Sequence, residues 1–408
     1  MKHILILTGW NYDEALIQTY TLPYLQLINR TLNNNVKLYL VTFEKNTKTS
    51  EEKKIINEEL KKRNIVLVPF KYHPFGILTV FYFSFVIPFL FFFIFFKKIS
   101  RLHCWCTPAG AMGYILSVLT RKPLVIDSFE PHAEAMVENG EWKKNSLAFK
   151  ILFWFEKRQI KRASHIIGLT LKTPEYINAK YNFVHPNYFV KPSCIDINDY
   201  KILDVKEIEL LKKKLNISQK YICVYAGKFG GIYLTSEVFA LFKVLLNEFD
   251  KDLHFLIIST TPLSEINSLA EQEGLPSDFY SHYFALQPDV KTYLAISDFA
   301  LNPVKPVPSK RYCTSIKDGE YWASGLPVII TNNISDDSDI IDEQRAGAVL
   351  KNLTVVDYTE AAKKMKTLFI NESKQNIQTR IKKIAEEKRN FNKAYTIYET
   401  IYCNGKRN

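Results

Sequence analysis

The chain has 408 residues, 54 Lys+Arg against 42 Asp+Glu, a net charge of +12 and 47% hydrophobic residues. That length and balance fit two α/β domains and exclude a disordered, collagenous or small disulfide-stapled protein. Its six cysteines are scattered without a second Cys/His pair at metal spacing, and no compact basic stripe or nucleic-acid motif accompanies the charge. Free thiols in a reducing compartment, no metal and no nucleic-acid partner are expected.

The N-terminal Met1-Lys2-His3-Ile4 runs straight into a strand pattern and lacks a signal-peptide layout. In chain order, the apolar runs at residues 3–8, 36–43, 65–70, 102–107, 124–129 and 165–170 read as strands separated by helix-length segments. Cys104 and Cys106 fall in the fourth run, where alternation puts both sulfurs on one side. Such alternation of strand and helix predicts a parallel, doubly wound sheet, whose ligands sit beyond the carboxyl ends of the strands. Gly9 and Trp10 follow the first run, and Gly9 would let a substrate approach the backbone closely.

Residues 77–96 carry no charge, are rich in Phe and are flanked by Lys71 and Lys97-Lys98. As a helix of about 30 Å the segment has the length of a membrane span. The strands on either side should join one sheet, which keeps both ends on the same side of a bilayer, and Pro88 predicts a break or kink. The segment is therefore read as a helix at a membrane interface, with Phe89, Phe91, Phe92 and Phe95 dipping into lipid. A wholly buried core helix is the alternative. The positive net charge suits anionic headgroups and an anionic nucleotide.

Asp127, Glu130, His132 and Glu134 follow the fifth run. Carboxylates and an imidazole at a strand's carboxyl end mark a candidate active site, with His132 and Glu130 favoured and a plain polar loop as the alternative. Glu156, Tyr176 and the charges at 157–162 read as helix surface. In the second half, residues 221–226 form a strand that ends in Gly227-Lys228-Phe229-Gly230-Gly231. Backbone N–H groups of such a loop could meet a phosphate, while the missing GxxxxGK[ST] pattern speaks against an ATPase.

Further on, residues 316–324 read as a short helix that Ser315 could cap. Lys317 and Glu320 then share one face, one turn apart. A cation near a helix N-terminus suits phosphate, and a carboxylate one turn on can accept two hydrogen bonds from a diol such as a ribose. A surface helix carrying one salt bridge is the alternative.

The run Gly319-Glu320-Tyr321-Trp322-Ala323-Ser324-Gly325-Leu326-Pro327-Val328-Ile329 resembles the donor-site signature of retaining GT-B glycosyltransferases of the family-4 type, known from bacterial surface-polysaccharide assembly. More loosely, the resemblance covers nearly the whole chain. The family's usual pattern has two glutamates eight positions apart, and the first falls on Tyr312. Ser315-Ile316-Lys317-Asp318-Gly319-Glu320 instead resembles a Ser/Thr-x-Lys-x-x-Glu variant seen in polysaccharide-assembly enzymes.

The resemblance implies an α/β protein of GT-B type, two Rossmann-like doubly wound parallel-sheet domains facing across a cleft. Residues 1–195 would form the acceptor-side domain, with a C-terminal helix in 390–408 packing back on it, and residues 196–389 the donor domain. It implies a hexosyltransferase that moves a sugar from a nucleotide-sugar donor, with retention, to a lipid-linked or polysaccharide acceptor. No metal or other cofactor is implied, and the place of work is the cytoplasmic, inner face of the cell membrane. Gly227, Lys228, Gly230, Ser315, Lys317 and Glu320 would bind the donor. Lys317 would supply the charge that the family carries near residues 232–234. Gly9, Trp10 and Asp127 would face the acceptor, and His132, Glu130 and Glu134 would serve the chemistry, carried over by segment. Two readings stay open beside it: a non-catalytic homologue acting as a binding subunit, and a sugar-nucleotide epimerase on the same fold.

Overall fold

A computed structural model describes residues 3–32, 36–74, 76–284 and 287–403. Met1, Lys2 and the 404–408 end of the expected C-terminal segment lie outside the described residues. The chain divides into unit 1, Met1–Pro192 with Asn392–Asn408, and unit 2, Ser193–Phe391.

Unit 1 alternates β1 (His3–Leu7), α1 (Leu22–Thr31), β2 (Leu38–Glu44), α2 (Ser50–Lys62), β3 (Ile65–Lys71), α3 (Ile77–Phe96), β4 (Ile99–Trp105), α4 (Cys106–Thr120) and β5 (Leu124–Phe129). It continues through α5 (His132–Glu138), α6 (Leu147–Arg162), β6 (His165–Gly168), α7 (Thr173–Tyr181) and β7 (Tyr188–Val190). Its seven strands form one sheet in the order β3-β2-β1-β4-β5-β6-β7, and each pair is parallel. All of β5 and β1 from Ile4 onward are buried, which a sheet covered on both faces requires. Local signals set the helix ends: Thr49 and Glu52 form a capping box at α2, and Arg121 closes α4 in the left-handed conformation.

Unit 2 contains α8 (Val205–Lys214), β8 (Tyr221–Ala226), α9 (Ser236–Glu248), β9 (Leu253–Ile258), α10 (Leu263–Gln272), β10 (Tyr280–Tyr283), α11 (Gln287–Ile296) and β11 (Phe299–Asn302). It closes with α12 (Ile316–Ala323), β12 (Val328–Thr331), α13 (Asp337–Glu343), β13 (Gly347–Leu350), α14 (Val355–Asn371) and α15 (Lys374–Arg389). The parallel sheet runs β10-β9-β8-β11-β12-β13. The final helix, α16 (Phe391–Tyr402), belongs to unit 1 from Asn392 onward. There Tyr398 Oη donates to Asp127 Oδ2 at 2.7 Å, and Arg101 donates to the Ile401 carbonyl at 2.5 Å.

In both sheets the strand order reverses once, between β1 and β4 and between β8 and β11. In sheets of this kind ligands sit beyond the carboxyl ends of the strands at that switch point. The loop after β1 holds Gly9 and Trp10; the loops after β8 and β11 hold Gly227–Gly231 and lead to α12.

Several elements depart from the sequence-based expectation. β4 starts at Ile99 and stops at Trp105, because Cys106 takes a positive φ of 63° and opens α4. The two sulfurs therefore do not share a strand face. Strands β10 and β13 escaped sequence reading, since Tyr-Ser-His-Tyr is polar and half-buried and β13 is four residues starting with Gly.

Residues 77–96 form α3 as expected, but the helix runs on through Pro88 without the break that the proline suggested. Val86, Leu90 and Ile94, four residues apart, are buried. Phe93 packs edge-on to Tyr39 at 5.2 Å, and Phe83 stacks on Phe43 at 5.7 Å, both rings of β2. One side of α3 is thus core. The strands at its two ends, β3 and β4, belong to one sheet, so the helix folds back over that sheet. Among the described residues no helix is long and apolar enough to cross a membrane.

Candidate functional site

The site in unit 2 is built where β8 ends. Gly227 has φ +155°, and a Cβ there would fall 2.1 Å from Lys317 Nζ. The positive φ favours glycine at this position, and the missing side chain leaves the space into which the lysine end reaches. Tyr225 Oη donates to the Lys228 carbonyl at 2.6 Å, and the Phe229 amide donates to Thr261 Oγ1 at 3.2 Å, which fixes the loop. The Ala226 amide donates to Tyr321 Oη at 3.1 Å, docking α12 against the end of β8.

Lys317, in the first turn of α12, reaches back over this loop. Its Nζ lies 3.7 Å from the Tyr233 ring centroid and 4.8 Å from that of Tyr225. Among the described residues the ammonium is buried without a hydrogen-bond partner, and so is the hydroxyl of Ser315. Burial pushes the Lys317 ammonium down to about 7, while Glu320 and Asp318 act in the opposite direction. Ser315 occupies the N-cap with extended backbone but makes no side-chain cap. The sequence-based capping role for Ser315 is therefore corrected: its hydroxyl does not accept from the first turn of α12. A buried, unpartnered cation beside free helix N–H groups is costly unless an anion completes it. Lys228 projects from the same loop and is exposed.

Glu320, one turn after Lys317, is buried and accepts a hydrogen bond from Tyr200 Oη at 3.2 Å. Asp318 points inward, accepts from Asn302 Nδ2 at 2.7 Å and is buried beside Asp337. Burial and then the neighbouring Asp337 push its carboxyl well above the usual range. Arg389 pairs with Asp337 and stacks on Trp322, with its guanidinium carbon 5.4 Å from the ring. This buried layer holds α12 from behind. Gly325 ends the helix at φ +75°, where a Cβ would lie 2.9 Å from that of Gln378.

Sequence reasoning missed Tyr225, Tyr233 and Tyr200. A signal existed for Tyr233: it stands in the stretch 232–234, where the resembled family carries a cation, and its ring instead receives Lys317.

In unit 1, His132 and Glu130 meet: Nδ1 lies 3.0 Å from Oε1, and both side chains are partly exposed. Glu134 is drawn away into an ion pair with Lys180 at 2.7 Å. Gly9 is exposed and faces open space, and Trp10 accepts the Phe43 amide through its carbonyl at 2.9 Å.

Three expectations are corrected here. Asp127 is fully buried, with Lys191 Nζ at 3.1 Å and Tyr398 Oη at 2.7 Å, so all its acceptor capacity is used inside the unit. Its carboxylate faces these internal partners and is closed to solvent. Glu156 and Tyr176, read as helix surface, are buried. Glu156 accepts from the Ala133 amide and from Tyr181 Oη, both at 2.9 Å, and so caps the helix that starts with His132. Burial pushes the Glu156 carboxyl up to about 7. Among the described residues no group of three or more His, Cys, Asp or Glu could hold a metal ion.

No protein-family model matches the chain. No curated protein matches it either. Solved structures do. A glycosyltransferase from Rickettsia africae ESF-5 aligns at a TM-score of 0.70 and 11% identity, covering 100% of this chain and 99% of that one. Anabaena Alr3699/HepE in complex with UDP aligns at 0.69 and 14%, covering 100% of both chains, and it is also solved in complex with UDP-glucose. WaaG, a glycosyltransferase involved in lipopolysaccharide biosynthesis, aligns at 0.69 and 14%, covering 98% of this chain and 99% of that one. At such identities the likeness is one of fold, the two-sheet α/β fold of GT-B glycosyltransferases.

Proposed function

We propose that the protein is a glycosyltransferase of the retaining family-4 type, moving a hexosyl group from a nucleotide-sugar donor onto a lipid-linked or polysaccharide acceptor. The observation that carries this reading is the unpartnered ammonium of Lys317, buried at the start of α12 against Gly227. A buried ammonium without a hydrogen-bond partner is stabilised by an anion brought against it, and the diphosphate of a nucleotide sugar is one. Lys317, Lys228 and the α12 N-terminus would neutralise the diphosphate as it departs, an electrostatic role that needs no metal. Glu320, oriented by Tyr200, would accept hydrogen bonds from the ribose diol. Unit 1 would hold the acceptor, with the His132–Glu130 pair serving the chemistry and the carboxylate stabilising oxocarbenium-like charge. The place of work would be the inner, cytoplasmic face of the membrane, where lipid-linked acceptors are found.

Incubation with a panel of nucleotide sugars and membrane-lipid or glycan acceptors tests this directly by mass spectrometry. Transfer supports it; epimerised donor would instead favour an epimerase. Donor binding without turnover would favour a binding subunit, a reading that Tyr312 in place of a glutamate makes specific.

Two substitutions separate the roles. Glu320→Ala is expected to weaken nucleotide-sugar binding by about tenfold or more, the usual effect of losing a charged hydrogen-bond partner at roughly 1.5–3 kcal/mol. Unchanged donor affinity in calorimetry would remove Glu320 from the site. His132→Ala is expected to lower turnover at least about tenfold, a barrier change of about 1.4 kcal/mol, while leaving nucleoside-diphosphate affinity intact. Parental steady-state rates in that variant would move the chemistry elsewhere.

A further inference from the structure

We infer that the α3–α4–α6 face of unit 1 is a docking surface for an anionic phospholipid bilayer. The inference rests on the membrane-side placement proposed above, and none of it depends on the transfer chemistry.

On α3, the residues opposite Val86, Leu90 and Ile94 are exposed: Phe81, Phe85, Phe89, Phe92, Phe95 and Phe96. They recur every three or four positions, so they form one stripe about 22 Å long. Phe85 and Phe96 are 74% and 82% exposed, whereas Phe91 is only half-buried against Phe92 and Phe95. The stripe therefore includes Phe81, Phe85 and Phe96, which the sequence reading left out, and turns Phe91 to its flank. The apolar face continues sideways, because α3 packs on α4 and α4 on α6. Val118 and Leu119 of α4 are exposed, as are Leu147, Ile151 and Trp154 of α6. Trp154 touches Tyr114 across the two helices at 6.2 Å.

Charge identifies the occupant. The three helices contain a single acidic residue, Glu156, and it is fully buried. Each helix runs back to the start of the next strand, so all three carboxyl ends lie along one edge of the parallel sheet. That edge carries Lys97 and Lys98, Arg121 and Lys122, and Lys161 and Arg162. An apolar face free of exposed acid and bordered by cations matches acyl chains beneath anionic headgroups. Arg158 over Trp154, at 5.0 Å from its ring, places a cation beside an aromatic ring, the pairing that suits the headgroup level.

Co-sedimentation of the full chain with vesicles tests this, using phosphatidylcholine alone and phosphatidylcholine mixed with phosphatidylglycerol. The parent is expected to bind the mixed vesicles at least about tenfold more tightly than the neutral ones. The triple variant Phe85→Ser/Phe92→Ser/Phe96→Ser should lose at least about tenfold in that binding, with its thermal midpoint and nucleoside-diphosphate affinity retained. Lys97→Ser/Lys98→Ser/Arg121→Ser should lose only the part of the binding that salt removes. Val355→Ser/Val356→Ser, at exposed apolar positions of unit 2, should bind like the parent. Parental sedimentation of the phenylalanine variant overturns the inference. So does a parent dimer, seen by light scattering, that the same three substitutions dissolve. A parent that binds vesicles but no nucleotide would support this surface and sink the transferase reading alone.

Discussion

Lys317→Met is expected to lower nucleoside-diphosphate affinity by about ten- to a hundredfold, equivalent to roughly 1.5–3 kcal/mol, and to raise the thermal midpoint of the ligand-free protein. The two effects have one cause. In the free protein the ammonium is buried without a hydrogen-bond partner among the described residues, so it is a charge removed from water, set against the Tyr233 and Tyr225 rings, and the pull of Glu320 and Asp318 does not offset its burial. Methionine fills the same unbranched volume without that cost. Stability and binding therefore move in opposite directions, as at sites kept for function rather than for folding. Calorimetric titration with a nucleoside diphosphate and with the bare nucleoside separates the phosphate contribution. Equal losses for both ligands, or a less stable ligand-free variant, would show that Lys317 serves the fold.

The same lysine sets a pH dependence. Its ammonium is held down to about 7 by burial, so above that pH the free site is increasingly neutral. A bound diphosphate favours the charged form, hence binding takes up a proton and affinity should fall as pH rises from about 7 towards 9. For folding the sign is reversed relative to an ion-paired lysine. Between about 7 and the ordinary lysine value of about 10.4, the unfolded chain holds a proton that the native chain lacks. The contribution of Lys317 to stability therefore improves with rising pH across that window. In Lys317→Met both slopes should vanish, which titrations at several pH values would register.

Much of the fold could be read from the chain because parallel strands buried on both faces leave unbroken apolar runs. β5 and β8 start and stop where the sequence indicates, and α12 lies within one residue of its expected range. The positions of Gly227, Lys317 and Glu320 were also legible, since each follows from a strand end or from helical spacing. Their partners were not. Tyr200 lies 120 residues from Glu320 in sequence, and no local pattern signals a hydroxyl placed on a carboxylate by tertiary packing. Glu156 looked like surface because it stands among Lys157, Arg158, Lys161 and Arg162. Its own face, however, turns towards the start of α5, and a helix with one buried carboxylate has the same composition as one with an exposed carboxylate. Asp127 misled in the opposite way, for an acidic residue at a strand's carboxyl edge is as useful for fastening a distant helix as for chemistry.

That fastening carries the second large effect. Lys191→Ala is expected to destabilise the protein by about 3–5 kcal/mol, the cost of leaving a buried carboxylate without its cation. Lys191 Nζ lies 3.1 Å from Asp127 Oδ1 and 3.7 Å from the Tyr24 ring centroid, and both charged side chains are fully buried. Tyr398 and His103 complete the surroundings of the carboxylate, and His103 in turn meets Tyr402 Oη at 2.6 Å. The network thus joins β4, β5, the end of β7 and α16, the last of which reaches unit 1 only after the whole of unit 2 in sequence. Burial alone would push the Asp127 carboxyl up, but Lys191, His103 and Tyr398 outweigh it and hold it below the usual carboxylate range. A carboxyl depressed in the native state stabilises at every pH above its unfolded value of about 3.9 and loses that contribution only as pH falls towards the native value. Without Lys191, burial raises the Asp127 carboxyl, so denaturant midpoints should show the deficit of Lys191→Ala largest towards neutral pH and narrowing as pH falls and that carboxyl takes up a proton. Asp127→Asn/Lys191→Met removes both charges and should cost less than the two single substitutions together. A loss below about 1 kcal/mol for Lys191→Ala would mean that other groups or water already compensate Asp127, and that α16 is held by its apolar face, Ala394, Ile397 and Ile401.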